Sequence, residues 1–421
     1  MVPRPRIGDG EADKMPKRWH LVRLADLVGY EKGNRPSEVH EDGQPGMLPY
    51  LTVKSIRSSR FNQWARDEED TTRVHRDDII MIWDGFYSGS VFTGVSGILG
   101  STAVKLTPKR TDVDKGFLYN FLTTRFKELN SKTAGMYLKH VSKSVFESLG
   151  VLLPPLPEQR KIAAIFSTVD DAIQKTDEII AKTQQLKKGL MQRLLTKGIG
   201  HTKFKQTEIG KIPEEWKVLS ISEMGEKDRP AVKTGPFGTQ LKTEHFRATG
   251  VPVLNIASLG DGKVEASGLF YVSEDKAREL AEYKVRPGDL VFSRVAEVGR
   301  SIVVPPEADG WMISSNLFRI SISLDLFDPG FLMFSLTGSP LVTKQVFMLT
   351  ADAGREIVNS TVLGSIRFPI PSLDEQKRIA AIIQTVQSKV ETEITHRKEL
   401  EKLRRGLMRV LLSGTLRVRV S

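Results

Sequence analysis

A chain of 421 residues is long enough for two or three domains, each with its own core. Its 39% hydrophobic and 27% charged residues are ordinary for a soluble globular protein. No apolar run approaches the roughly 18 residues of a membrane helix, and the lack of cysteine excludes disulfides, thiolate nucleophiles and zinc–cysteine sites. The net charge of +11 suggests a polyanionic partner but is unevenly spread: +4 over 1–153, +4 over 154–203, −2 over 204–371 and +5 over 372–421, so any contact made by the globular segments must come from local patches.

Residues 1–15 hold Pro, Gly and charge without an apolar core, which excludes a secretory signal and predicts a flexible tail. From 16 to 155 the pattern is a mixed α/β domain. Strands are expected at Leu51–Ile56, Asp78–Trp83, Val91–Val95 and Thr102–Leu106, then a helical stretch Phe117–Leu129 and a last strand Gly150–Leu153. Three polar loops interrupt it: Lys32, Asn34 and Arg35; Lys54, Ser55, Arg57, Ser58 and Arg60; and Trp83, Phe86, Tyr87 and Ser88. Residues 156–197 are expected to form a helix that opens on Pro157 and then runs without proline from Glu158 onward. Residues 198–371 comprise a linker and a second mixed domain, with strands at Val251–Ile256, Asp289–Phe292, Ser301–Val304 and Leu317–Ile322, a helical stretch Phe331–Phe347 and a strand Ser365–Ile370. Its corresponding loops carry Lys233, Thr234, Phe237, Thr239, Gln240 and Lys242; Ser293 and Arg294, with Gly299 and Arg300; and Ser315 and Asn316. A second long helix covers 372–413, and a terminal strand within Leu416–Val420 ends the chain at 414–421.

The chain repeats itself. Glu158-Gln159 and the following Ile162-Ala163-Ala164-Ile165 return 217 residues later as Glu375-Gln376 and Ile379-Ala380-Ala381-Ile382, and 14 of 38 positions from Glu158 to Leu195 are identical. Pro16-Lys17-Arg18-Trp19 parallels Pro213-Glu214-Glu215-Trp216 at an offset of 197, so Trp and Glu are 139 residues apart in one half and 159 in the other. A fixed frame therefore encloses two diverged segments.

Heptads place Ile162, Val169, Thr176, Thr183 and Leu190 at a positions and Ile165, Ala172, Ile179, Leu186 and Arg193 at d, with Phe166, Ile173, Ile180 and Leu194 widening the stripe. The second copy offers Ile379, Ile382, Ile383, Val386, Val390, Leu400, Leu403 and Leu407, interrupted by Lys389, Glu393 and His396. The expected fold is α+β: two mixed α/β domains separated by two long antiparallel coiled-coil helices, with a pseudo-twofold internal repeat. At about 1.5 Å per residue, 38 helical residues span about 57 Å, at most about 17 base pairs of duplex. Lys175, Lys182, Lys187, Lys188, Arg397, Lys398, Lys402, Arg404 and Arg405 give the helices basic outer faces, which are open to solvent, to a partner subunit or to phosphates.

Arg and Lys pair with guanine, Asn and Gln with adenine, and hydroxyls hold phosphates, which makes the loop residues candidates for DNA contact. No phosphate-binding Gly-Lys-Ser/Thr loop, dinucleotide glycine cluster, histidine metal pair or amino-methyltransferase motif is present, and Asp67-Glu68-Glu69-Asp70 reads as a solvated loop.

The duplicated Pro-x-Leu-x-Glu-Gln-x-x-Ile-Ala-Ala-Ile helix, its Gly-Leu-Met-x-x-Leu-Leu end and the Pro-x-x-Trp opening resemble the specificity subunit of Type I restriction–modification systems, over about Met15 to Val420. The resemblance implies that each variable domain reads one half of a split DNA target. It also implies that the helices set the spacing and bind two methyltransferase subunits carrying S-adenosylmethionine, and that a separate motor–nuclease subunit cleaves DNA. The chain itself would hold no cofactor, metal or catalytic residue, and would act in a bacterial or archaeal cytoplasm away from membranes. The alternatives are a self-sufficient nuclease or methyltransferase, and a coiled-coil adaptor that binds no DNA.

Overall fold

The computed structural model of the chain describes residues 16, 18–131, 140–260, 262–294, 300–351 and 360–419. The expected tail over 1–15, Gly299 and Val420 lie outside these. Two units result: Met1–Asp177 with Thr395–Ser421, and Glu178–Ile394.

In the first unit, His20–Arg23 pairs antiparallel with Gly150–Leu153, the strand that runs into the prolines. One antiparallel sheet orders Val28–Lys32, Ala103–Pro108, Ile79–Ile82 and Val91–Phe92; another orders Trp64–Arg66, Met47–Leu51, Gly97–Leu99 and Arg73–Val74, with Met47–Leu51 and Gly97–Leu99 parallel. Ile79–Ile82 reads as a continuous apolar run because both its faces are buried. Ile79 and Met81 join Trp19, Phe117, Phe121 and Phe146, while Ile80 and Ile82 join Leu51, Ile56 and Leu99.

The second unit adds a hairpin, Phe204–Thr207 with Gly210–Pro213, and then follows the same plan. Lys217–Ser220 pairs with Arg367–Ile370. One sheet orders Val232–Thr234, Leu317–Ile320, Leu290–Ser293 and Ser301–Val303; the other orders Phe246–Arg247, Phe270–Val272, Val251–Leu254 and Met312–Ile313, again with one parallel pair, Val251–Leu254 with Met312–Ile313. Leu290 and Phe292 face the core of Trp216, Phe331 and Phe368, and Val291 faces that of Val253, Ile302 and Met312. The duplication thus extends to the topology of segments whose sequences match only in outline.

Four local expectations are corrected. The strand expected through Ile56 stops at Leu51, because Thr52 and Ser55 form a reciprocal capping box that starts a helix, Val53–Ser58, despite its β-branched residues. The stretch Phe117–Leu129 is two helices, Lys115–Thr124 and Phe126–Ser131. Phe331–Phe347 is likewise two, Pro329–Gly338 and Pro340–Ala351, since the residue before Pro340 is driven out of helical geometry. Leu416–Arg419 forms no strand; Arg417 turns inward to Glu158 instead.

The long helices are Leu156–Lys197 and Leu373–Leu411. In the first unit the start of one and the end of the other enter the same core, Ile162 and Phe166 beside Leu411 and Leu412. In the second unit Met191, Leu194 and Leu195 join Ile379 and Ile383. The pairing is antiparallel: Asp170 bonds Arg404, and Asp177, seven residues on, bonds Arg397, seven residues back. The inward stripe follows Ile162, Phe166, Val169 and Thr176, which are buried, with Ile173 and Ile180 half-buried along it, and not the heptad d set. Ile179, Leu186, Ile382 and Leu403 are exposed and Ile165 is half-buried, whereas Ile379, Ile383 and Val390 are buried and Val386, Leu190, Leu400 and Leu407 half-buried. Steps of four and three from Ile162 keep one face inward, so the second seam position falls one residue later than the assigned d.

Candidate nucleic-acid interface

In the first unit the structure brings the three loops together. Lys32 Nζ meets Asp84 Oδ2 at 3.0 Å, joining the loop after Val28–Lys32 to the Trp83–Ser88 loop. The Arg57 guanidinium, at the end of the Val53–Ser58 helix, lies 3.5 Å from the Tyr87 ring centroid. Gly33 is required by close approach: a Cβ there would sit 2.4 Å from the carbonyl oxygens of Leu99 and Gly100. Phe86 is 74% exposed beside Tyr87, and Arg35, Lys54, Arg57, Ser58 and Arg60 are exposed. Asn34 is exposed but anchored, its amide donating to the Asp70 carbonyl at 2.7 Å. Three candidates serve packing. Trp83 stacks on Tyr30 with centroids 5.0 Å apart, Ser55 is spent on the helix cap, and Ser88 is buried. Burial pushes the Tyr50 hydroxyl above its usual pKa, against the opposing pull of Arg35.

The second unit repeats the arrangement with different residues. Gly235 follows strand Val232–Thr234 as Gly33 follows its own, and a Cβ there would meet the Ser314 carbonyl oxygen at 2.0 Å. Arg294 lies against the Ser315–Asn316 loop, its backbone N–H donating to the Asn316 carbonyl at 3.1 Å. Gln240 accepts from the Tyr283 hydroxyl at 3.0 Å. Phe237 is 64% exposed, and Thr239, Lys242, Arg300 and Asn316 are exposed; Thr234 and Ser315 are half-buried, and Ser293 is buried. Each unit therefore presents cations, amides and one protruding phenylalanine on loops held by a sheet end.

Glu158 and Glu375, landmarks of the repeat in the first turns of the two long helices, each close a latch. Glu158 accepts from the Trp19 indole at 3.1 Å and from Arg417, and Glu375 accepts from the Trp216 indole at 3.1 Å and meets His201 Nε2 at 2.9 Å. The neighbouring glutamines fasten an earlier helix of each domain. Gln159 accepts from the backbone N–H of Asp114, which caps Lys115–Thr124, and Gln376 does the same for Asp328, which caps Pro329–Gly338. Burial opposes ionisation of Glu158, but its hydrogen bonds to Arg417 and Trp19 outweigh it and hold the carboxyl below its ordinary pKa.

The helices' basic faces are smaller than expected. Arg397 and Arg404 turn to Asp177 and Asp170, and Lys187 donates to Gln387, while Lys175, Lys182, Lys188, Lys398, Lys402 and Arg405 remain exposed. Asp67 pairs with Arg73 at 3.1 Å and Glu68 bonds Ser37, so that acidic run is engaged within the domain. Among the described residues no three His, Asp or Glu gather to hold a metal, and no helix is long and apolar enough to cross a membrane.

The chain is 29% identical over 411 residues to the MjaVIII Type I restriction enzyme specificity subunit of Methanocaldococcus jannaschii, covering 96% of this chain and 95% of that one. It is 23% identical over 379 residues to the EcoBI Type I restriction enzyme specificity subunit of Escherichia coli, covering 87% and 78%. Its fold is similar to the crystal structure of a Type I restriction–modification S subunit from M. genitalium, with a TM-score of 0.61 at 15% identity over the whole of both chains. It is also similar to a chain from a structure of type I R-M complex assembly and conformational transition, with a TM-score of 0.57 at 18% identity, covering 96% of this chain and 100% of that one. The profile of the Type I restriction modification DNA specificity domain matches twice, over residues 16–185 and 213–402, each match taking in one globular segment and most of the long helix that follows it; the chain belongs to that family.

Proposed function

We propose that the chain is the DNA sequence-specificity subunit of a Type I restriction–modification enzyme, with each domain reading one half of a bipartite target. The observation that carries this reading is the repetition, in two units of one topology, of a loop cluster that keeps its glycine-set geometry while exchanging its exposed side chains. A frame that is kept and contact residues that vary suit two readers of unlike half-sites. The helices set the spacing, and their exposed cations are available to two methyltransferase subunits. Those subunits carry S-adenosylmethionine and the chemistry, and restriction subunits join through the complex. The chain contributes recognition and no catalytic group.

The test is the methylome of a cell expressing this chain with its methyltransferase. Modified bases in two unlike half-sites at fixed spacing are the expected result; methylation of a single undivided site, or of no defined sequence, sinks the reading.

A further inference from the structure

We infer that the second recognition domain holds a backbone phosphate of duplex DNA in a cleft lined by Arg229, Lys284, Arg286 and Arg319, with Lys233 at its mouth, and that the first domain has no equivalent. This rests on the reading that these domains bind duplex DNA.

The cleft measures about 390 Å³ and also exposes Glu282 and Asp309 on its walls. Its floor is Arg319, which is cross-strand from Lys233 and only 2% exposed. Three acceptors fix its guanidinium: Ser321 Oγ at 3.1 Å and the carbonyls of Glu282 at 2.8 Å and Lys284 at 3.0 Å. Burial, then the charge of Arg229, lowers its pKa to about 10, so it stays cationic at neutral pH. Arg229 is held by Asp289 at 3.0 Å and by the Lys284 carbonyl at 2.7 Å. Arg286 is two-thirds exposed at the rim, its side chain 67% accessible. Lys233 pairs with Glu282 at 2.5 Å and Arg286 lies 3.9 Å from Glu226, so an oxyanion entering the cleft competes with these rim pairs for donors whose charge and planar guanidinium forks suit a phosphate. Lys233 also begins the Lys233–Gln240 loop and lies 4.9 Å from the Tyr283 ring, while Tyr283 bonds Gln240, so the cleft is continuous with the recognition loops.

The duplication supplies an internal control. Lys105 occupies the place of Arg319: it faces Ile80 as Arg319 faces Val291, and donates to the Arg73 carbonyl as Arg319 donates to that of Lys284. Asp78 bonds the backbone of His75 as Asp289 bonds that of Arg286. The residue cross-strand from Lys105 is Glu31, where the second domain has Lys233. The five matched positions are thus Glu31, Arg73, His75, Asp78 and Lys105 in one domain and Lys233, Lys284, Arg286, Asp289 and Arg319 in the other. With His neutral their net charge is zero in the first and +3 in the second. At these five positions one scaffold carries a surplus of cations in one copy and a balance of charge in the other.

The experiment measures affinity of the full chain for target and non-target duplexes across a salt series, with Lys284→Gln/Arg286→Gln, Arg286→Gln alone and the first-domain mirror Arg73→Gln; circular dichroism confirms folding. A lost phosphate contact lowers the slope of log K against log salt by about 0.9 and the affinity at about 0.1 M salt about 8-fold. The double variant is expected to show at least this loss on both duplexes, and Arg73→Gln much less. An unchanged slope, a loss confined to the target duplex, or an equal effect of Arg73→Gln overturns the proposal. Inorganic phosphate is the second probe: if the double variant loses phosphate binding but keeps duplex affinity, the cleft takes a free anion and the DNA assignment fails. If the wild-type chain itself binds no duplex, the functional reading falls, and this inference with it.

Discussion

The carboxylate of Glu158 is 2% exposed and sits between a buried indole and a guanidinium, so its removal strands the Trp19 N–H without an acceptor. Leaving a buried donor unsatisfied and losing a charge-assisted bond together cost about 2–3 kcal/mol. Glu158→Ala is expected to lower the stability of the first unit by that amount in chemical denaturation, with Trp19 emission as probe. Because the folded-state pKa of Glu158 is depressed, its ionisation stabilises the protein above the ordinary carboxylate range, and that contribution is lost as pH falls through the folded value. The stability gap between wild type and Glu158→Gln should therefore be full well above the ordinary carboxylate range and close as pH falls below that range, through the depressed folded value. A gap independent of pH would show that the charge is idle. This latch was half legible in the sequence. The separations of 139 and 159 residues between each Trp and its Glu mark a direct hydrogen bond in both halves. The repeat identified the landmarks, but nothing local in the sequence says that residues so distant touch.

At the scale of elements, apolar periodicity located both long helices, because a run of about 40 residues without proline and with a sustained stripe has few other solutions. It did not fix which residues face inward. A seven-residue repeat is consistent with seams starting at Ile165 or at Phe166, and only packing against the domain core selects the second. The adjacent isoleucines of the second helix separate the two assignments, since Ile383 is fully buried while Ile382 is 38% exposed. Ile383→Ala and Phe166→Ala should each destabilise by about 2–5 kcal/mol, whereas Ile382→Ala should cost under about 1 kcal/mol. Equal losses at Ile382 and Ile383 in urea denaturation would restore the original heptad. Short elements were harder to read. Leu51–Ile56 looks like a strand until Thr52 and Ser55 are seen bonding one another, because a two-residue cap decides against the β-branched propensities of Val53 and Ile56.

For the whole molecule, the loops that sequence chemistry singled out do converge in each unit, but the sequence alone did not separate the exposed side chains from those the scaffold uses. Ser55, Ser88 and Ser293 are polar loop residues in the same sense as Arg57 and Asn316, and differ from them only in burial. A globular body that is nearly neutral cannot draw specificity from its overall field, so discrimination must rest on few side chains per domain, each reading one base step. Arg57, stacked on Tyr87, is pre-oriented in the first unit, and Asn316 is exposed beside Arg294 in the second. If the two units read separate half-sites, Arg57→Ala should relax the sequence requirement in one half only, and Asn316→Ala in the other only. Each change should reduce discrimination at its position by about 1–3 kcal/mol, or roughly 5- to 150-fold, with the half-site spacing unchanged. Methylomes of the two variants check this directly. A variant that relaxed both halves at once, or shifted the spacing, would mean that the domains do not read independently and that the duplicated frame acts as one recognition surface.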